Sequence, residues 1–281
     1  MDFDNLNHLV ELDQLCAVHK IPLKQLNKIV HIAGEEKPRK PEPFCPKCNQ
    51  EQIKKREKQE IKRVLNNNLY LKTYNVLERD SIIPKELQSA TFENYIVGTK
   101  EEMNLLTFAT EQAQKYLNGM AGNTIITGDT GIGKSHLSVA MAKAINEGYK
   151  DRNEPKSVLF VNLTEIIKQI KEGWNYGKGA KLTENQAKEQ LTAVDFLILD
   201  DLGAKNATIS PKSDWEQDFL FDILNNRERT IINTNLNSGE LKTVYNARNY
   251  SRILKGAEGN IFKTFGIQDK RFSINKLKGD V

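Results

Sequence analysis

The chain of 281 residues has only three cysteines, an odd number too small for a disulfide framework, and a reducing compartment would not keep such bridges closed. Metal or burial has to account for them. No run approaches the roughly 18 uninterrupted apolar residues that a bilayer span needs. The first thirty residues carry Asp2, Asp4, Glu11 and Asp13, where a secretory leader has a basic start and an apolar stretch. The expected location is the cytoplasm, with no membrane partner. Repeats and low-complexity tracts are also missing. Hydrophobic residues at 38%, charged residues at 28% and aromatics at 7% fit a well-charged globular chain, and the length suits one large domain or one large plus one small.

The net charge of +4 is unevenly spread. Residues 1–90 hold 16 basic and 13 acidic groups, 91–240 hold 16 and 21, and 241–281 hold 9 and 3. A basic excess at both ends permits a polyanionic partner but falls short of a dedicated DNA-binding module. Phe3, Leu6, Leu9 and Val10, then Leu23, Leu26, Ile29 and Val30, recur at helical spacing, so residues 1–30 are expected to form two short amphipathic helices broken near Pro22. The charged, proline-bearing stretch 34–43 reads as an extended connection. After FCPKC, the run at 50–70 is helix-prone with few apolar positions, and its Lys54, Lys55, Arg56, Lys58, Lys62 and Arg63 read first as a solvated face. Domains are expected at 1–50, with a helical linker over 51–89 and the catalytic domain over 90–281.

Short β-branched runs at 123–127, 157–161, 196–200, 230–234 and 260–265 alternate with helical patterns, which predicts an α/β fold with a parallel sheet. The first run leads into GDTGIGKS, residues Gly128, Asp129, Thr130, Gly131, Ile132, Gly133, Lys134 and Ser135, followed by His136 and a helix. This is the phosphate-loop pattern in its required context, between a strand and a helix. Its glycines let backbone N–H groups face the phosphates, Lys134 bridges the outer phosphates, and the Ser135 hydroxyl suits magnesium. The implied cofactors are ATP and Mg2+. A second strand must supply a carboxylate, and FLILDDLG offers Asp200 for the magnesium side and Asp201 to polarise the attacking water. Aspartate reaches one methylene less far than glutamate, so hydrolysis is expected to be slow and switch-like.

Cys16 with His19 and Cys45 with Cys48 make two closely spaced pairs 25 residues apart, a pattern suited to tetrahedral zinc. Metal would staple a segment with a thin core. His8 and His31 are alternatives for the fourth ligand.

TFENY, GDTGIGKSHL, SVLFVN, FLILDDLG, DWEQDFLFDILNNR, TIINTNL and ARNYSRIL follow one another in order over about 90–272. Through these phrases the sequence resembles AAA+ ATPases and, within them, the bacterial and phage replicative-helicase loaders of the DnaC/DnaI type. The resemblance implies a AAA+ P-loop ATPase core, a parallel five-stranded sheet flanked by helices, with a small helical zinc-binding N-terminal domain. It assigns Asn235 as the polar sensor and Arg252 as an arginine finger reaching a neighbouring subunit's nucleotide, with Arg248 as its rival. Arg271 falls near the second sensor, ten residues before the last one, so a truncated lid is expected. The implied partners are the hexameric replicative DNA helicase, single-stranded DNA and further copies of the chain. Trp174 and Tyr176 lie where the family places single-strand contacts. The lysine- and asparagine-rich composition suits a low-GC bacterial or phage origin. Two other functions fit the same residues: a transposition-helper ATPase of the insertion-sequence type, and a non-hydrolysing adaptor in which the zinc module does the work.

Overall fold

The computed structural model describes residues 9–30, 38–176, 182–203 and 209–264. The chain divides into two units, Met1–Asn68 and Leu69–Val281. Among the described residues no helix is long and apolar enough to cross a membrane.

Over residues 9–30 the expected helices are not formed; Phe3 and Leu6 lie outside the described residues. Strands β1 (Leu9–Leu15) and β2 (Pro22–Leu26) pair antiparallel, with Leu9 opposite Leu26 and Glu11 opposite Lys24. The turn between them closes through Lys20 at a φ of 55° and through hydrogen bonds from Lys20 N to Cys16 O and Cys16 N to Ile21 O. Helical spacing misled here because Leu9, Val10 and Ile29 stay exposed, so their periodicity does not reflect a packed face. Lys24 bridges Phe44, exchanging both backbone hydrogen bonds at 2.8 Å. Helix α1 (Pro46–Lys72) begins on a proline, whose missing N–H costs nothing at the first helical position. It has no buried residue, and its basic run is solvated.

The second unit is built on a parallel sheet. Its strands are β3 (Gly122–Thr127), β4 (Val158–Asn162), β5 (Phe196–Leu202), β6 (Arg229–Thr234) and β7 (Ile261–Lys263), in the order β4-β5-β6-β3-β7. The apolar runs are nearly continuous because both faces are covered. Leu159, Val161, Leu197, Leu199 and Ile232 face one core, with Phe219, Leu220 and Ile223 of α7 (Asp214–Asn225) and Ile166 and Ile170 of α5 (Leu163–Tyr176). Val158, Phe160, Phe196, Ile198 and Ile231 face the other, with Leu105 and Tyr116 of α3 (Lys100–Leu117) and Leu137, Met141 and Ile145 of α4 (Lys134–Asp151). The period of two along each strand sends alternate residues to opposite cores.

Residues 73–89, read in the sequence as linker, belong to this unit. Short helix α2 (Val76–Asp80) buries Val76 and Leu77, and the Ile82 N–H bonds the Phe160 carbonyl at 2.9 Å. The remaining α-helices among the described residues are α6 (Glu184–Ala193), α8 (Ser238–Val244) and α9 (Ala247–Ile253). Helices α3, α6, α7 and α8 each open on a capping box, with Thr99, Thr183, Ser213 and Asn237 bonding the backbone three residues on.

Candidate functional site

Strands β3, β5 and β6 are adjacent and parallel, so their carboxyl ends share one edge of the sheet, where ligands of open α/β sheets bind. The phosphate loop leaves β3 there and turns into α4. Gly133 caps that helix at a φ of 94°, and a Cβ on it would lie 2.6 Å from the Tyr95 ring; only glycine fits. The Tyr95 hydroxyl in turn donates to the Ile132 carbonyl at 3.1 Å. Ile132 is buried, Asp129 and Thr130 are exposed, and Gly131 has a φ of 82°. His136 bonds the Thr91 carbonyl at 2.9 Å through Nε2 and meets Tyr95 edge-on. Thus TFENY braces the loop from behind. Helix α4 carries no acid in its first turn, leaving the positive end of its dipole uncompensated for an anion.

Lys134 is buried and holds the loop together, donating to the carbonyls of Gly128 and Asp129 at 2.8 and 2.7 Å and to Asn235 Oδ1 at 2.6 Å. Asn235 Nδ2 then donates to Asp201 Oδ1 at 3.0 Å. Ser135 Oγ donates to Asp200 Oδ1 at 2.9 Å. Residues from three strand ends are therefore joined by direct hydrogen bonds. Burial pushes the Asp200 carboxyl up from its ordinary range, and the bonds from Asn233 and Ser135 oppose that. A hydroxyl beside a carboxylate is a hard oxygen set that suits magnesium, so Ser135 and Asp200 fit the ion that ATP carries.

The β5–β6 register is irregular between Leu199 and Leu202, and Asp201 within that irregularity has a φ of 57°. Aspartate tolerates this left-handed conformation better than most residues. A bulge re-aims a side chain at a strand end, and here it directs Asp201 to Asn235 rather than along the alternation set by Asp200. Nothing in the local sequence of FLILDDLG announces it.

Two buried polar residues escaped the sequence reading. Asn233, fully buried on β6, donates from Nδ2 to Asp200 Oδ1 at 2.7 Å and accepts from Ser138 Oγ at 2.9 Å. Asn123 on β3 donates to the carbonyls of Arg252 and Ile253 at 2.9 and 3.0 Å, tying α9 to the sheet.

Arg252 does not join the cluster within the chain. Its guanidinium carbon lies 5.8 Å from the Phe221 ring centroid, and its Nε is buried without a hydrogen-bond partner. Arg248 sits over the same ring at 3.8 Å and is ion-paired to Asp218 at 2.6 Å. Among the described residues Arg252 has no ion pair, which sets it apart from its rival. Arg271, His8 and His31 lie outside the described residues, as do the Tyr176 side chain and residues 177–181. Trp174 is exposed and meets Trp215 edge-on at 4.8 Å, while Trp215 stacks on the buried Phe219 at 5.4 Å.

In the first unit Cys16, His19, Cys45 and Cys48 converge, their ligand atoms all within 4.8 Å of one another. Cys16 and His19 bracket the β1–β2 turn, while Cys45 and Cys48 straddle the start of α1. Sulfur to sulfur is 3.6 Å for Cys16 and Cys48, and His19 Nδ1 lies 3.2, 3.6 and 4.0 Å from the sulfurs of Cys48, Cys45 and Cys16. A tetrahedron with zinc–sulfur bonds of about 2.3 Å has edges of about 3.8 Å, so the donor set fits zinc. His19 Nε2 bonds Glu51 at 3.2 Å, the outer partner that orients a ligating imidazole. The His19 N–H holds the Cys16 thiol down to about 6, whereas hydrogen bonding to Cys16 and burial push Cys48 up to about 12. Metal uptake would therefore release protons.

Among solved structures, the chain is similar to the DnaC helicase loader at 21% identity, covering 64% of this chain and 98% of that one with a TM-score of 0.46. It is similar to DnaI at 21%, covering 67% and 95% with a TM-score of 0.47. AMPPCP-bound DnaA from Aquifex aeolicus is similar at 24%, covering 68% of this chain and 55% of that one with a TM-score of 0.48; the chain thus spans about half the DnaA length. No curated protein matches the chain by sequence. The family model described as IstB-like ATP binding protein matches residues 54–253. That stretch carries the phosphate loop, the Asp200–Asp201 bulge and Asn235 on four of the five strands of the parallel P-loop core, and the chain belongs to the IstB-like ATP binding proteins.

Proposed function

We propose that this chain is an ATP-dependent loader of a hexameric replicative DNA helicase, working as a slow AAA+ switch. The observation that carries the ATPase part is the joined set Lys134, Asn235 and Asp201 beside Ser135 and Asp200. Lys134 and the loop N–H groups would hold the phosphates, and Ser135 and Asp200 would hold the accompanying magnesium, which would supply charge neutralisation on the nucleotide. Asp201 accepts a proton from the attacking water, with Asn235 fixing its carboxylate. Arg252 enters the nucleotide site of a neighbouring copy, so that turnover depends on assembly. A guanidinium supplied in trans is worth about 10³–10⁵ in rate. With ATP bound, the assembly grips helicase and single-stranded DNA; hydrolysis loosens it.

The loader part is supported by the ordered motif phrases and by the zinc-type cluster, which lies ahead of the family-matched stretch and serves as the helicase-docking module. A transposition helper, partnered with a transposase, is the second reading, and membership of the IstB-like family favours it. The deciding experiment is mass measurement of the full chain mixed with a candidate helicase, in ATP and then in ADP. A complex in ATP that dissolves in ADP is expected. Capture of a transposase with no helicase complex selects the second reading. ATP turnover that stays absent with helicase and single-stranded DNA present leaves only an adaptor. Unaltered ATP affinity in Lys134→Ala refutes the nucleotide site itself.

A further inference from the structure

Asparagine is depleted in strands, and a buried amide is costly unless every polar atom finds a partner. Asn233 nevertheless stands fully buried on the central strand β6, paired with Ile126 of β3. Its amide is engaged at both ends. The Ser138 hydroxyl, also fully buried and one turn into α4, donates to Oδ1 at 2.9 Å, and Nδ2 donates to Asp200 Oδ1 at 2.7 Å. Ser135 Oγ donates to that same carboxylate oxygen at 2.9 Å. Both donors thus converge on Oδ1, and Oδ2 receives no hydrogen bond from the described residues.

We infer that Asn233 is a positioning residue for the magnesium side of the nucleotide site. Resting on the ATPase reading above, it pins one oxygen of Asp200 so that the other stays directed to the cation, while Ser138 pins Asn233. The carboxylate is otherwise free to rotate about its terminal torsion, which has broad minima. Fixing it before the cation arrives removes that freedom in advance, as outer-shell partners of metal ligands do. Asn235, two residues later, does different work, since it bonds Lys134 and Asp201.

The test is binding of a fluorescent ATP analogue to the full chain, first in EDTA and then across a magnesium titration. Asn233→Ala is expected to raise the magnesium concentration at half-maximal effect by about tenfold or more, with affinity in EDTA unchanged. Asn233→Thr, which keeps a short donor on the strand, recovers part of the shift, and Ser138→Ala moves the midpoint the same way by less. A wild-type midpoint in Asn233→Ala overturns the inference, as does an equal loss of affinity with and without magnesium. If Asn233→Ala does not fold, Ser138→Ala decides, and an unmoved midpoint there overturns it. A wild-type chain whose nucleotide binding gains nothing from magnesium refutes the ATPase reading and this inference together.

Discussion

Removing metal from the Cys16, His19, Cys45 and Cys48 cluster is expected to unfold the β1–β2 hairpin while leaving the parallel sheet intact. The magnitude follows from burial. Between Leu9 and Asn68 the described residues bury only two side chains, Cys16 and Cys45, both ligands of the cluster. Leu9, Val10, Leu15 and Ile29 are exposed, so apolar burial at about 25 cal/mol per Å2 contributes little. An isolated two-stranded hairpin is marginal in water. Structural zinc supplies about 10–16 kcal/mol in comparable small modules, as much as the whole stability of a typical domain. A zinc ion held by the cluster would therefore be the dominant folding term for this segment. Hydrogen exchange read by mass spectrometry, with and without chelator, should show protection lost over Leu9–Leu26 and kept over β3–β6, with ATP-analogue binding retained. Replacing Cys45 and Cys48 with serine should reproduce the effect and remove zinc from the purified chain. Hairpin amides that stay protected in metal-free protein, or a wild-type preparation made without chelator that holds no zinc, would refute the reasoning.

An Arg252→Ala chain should lose about 10³-fold or more in ATP turnover, and mixing it with Lys134→Ala should restore part of the rate, because each variant lends what the other lacks. No recovery in the mixture, with both variants folded and assembled, counts against a finger in trans. Asp195 offers a pH-dependent test of the sheet's edge. Burial alone would raise its carboxyl, but the Ser157 N–H and hydroxyl and the Lys156 ammonium outweigh it and hold the group below its ordinary value. Asp195→Asn should cost about 1 kcal/mol at pH 7 after solvent screening. The gap should close as pH falls below the ordinary aspartate range and through the depressed folded-state value, because the unfolded chain takes up the proton first; a gap independent of pH in thermal melts would contradict this.

Sequence alone determined the parts whose physics is local. The strands at 123–127, 196–200 and 230–234 were legible from short β-branched or aliphatic runs between helical stretches. The phosphate loop was legible because its glycines, lysine and serine are consecutive, and CPKC because two cysteines flank two residues. Helical spacing pointed the wrong way over residues 9–30, where Leu9, Val10 and Ile29 stay exposed and the hairpin turn meets Cys48 from 29 residues further along the chain. Only the tertiary structure decided that Asp201 turns aside in a bulge, that residues 73–89 pack on the sheet, and that Asn233 and Ser138 brace Asp200 from a strand and a helix about a hundred residues apart. A buried hydrogen bond is a property of two distant segments brought into register by their cores. Neither segment carries its partner's position in its own spacing.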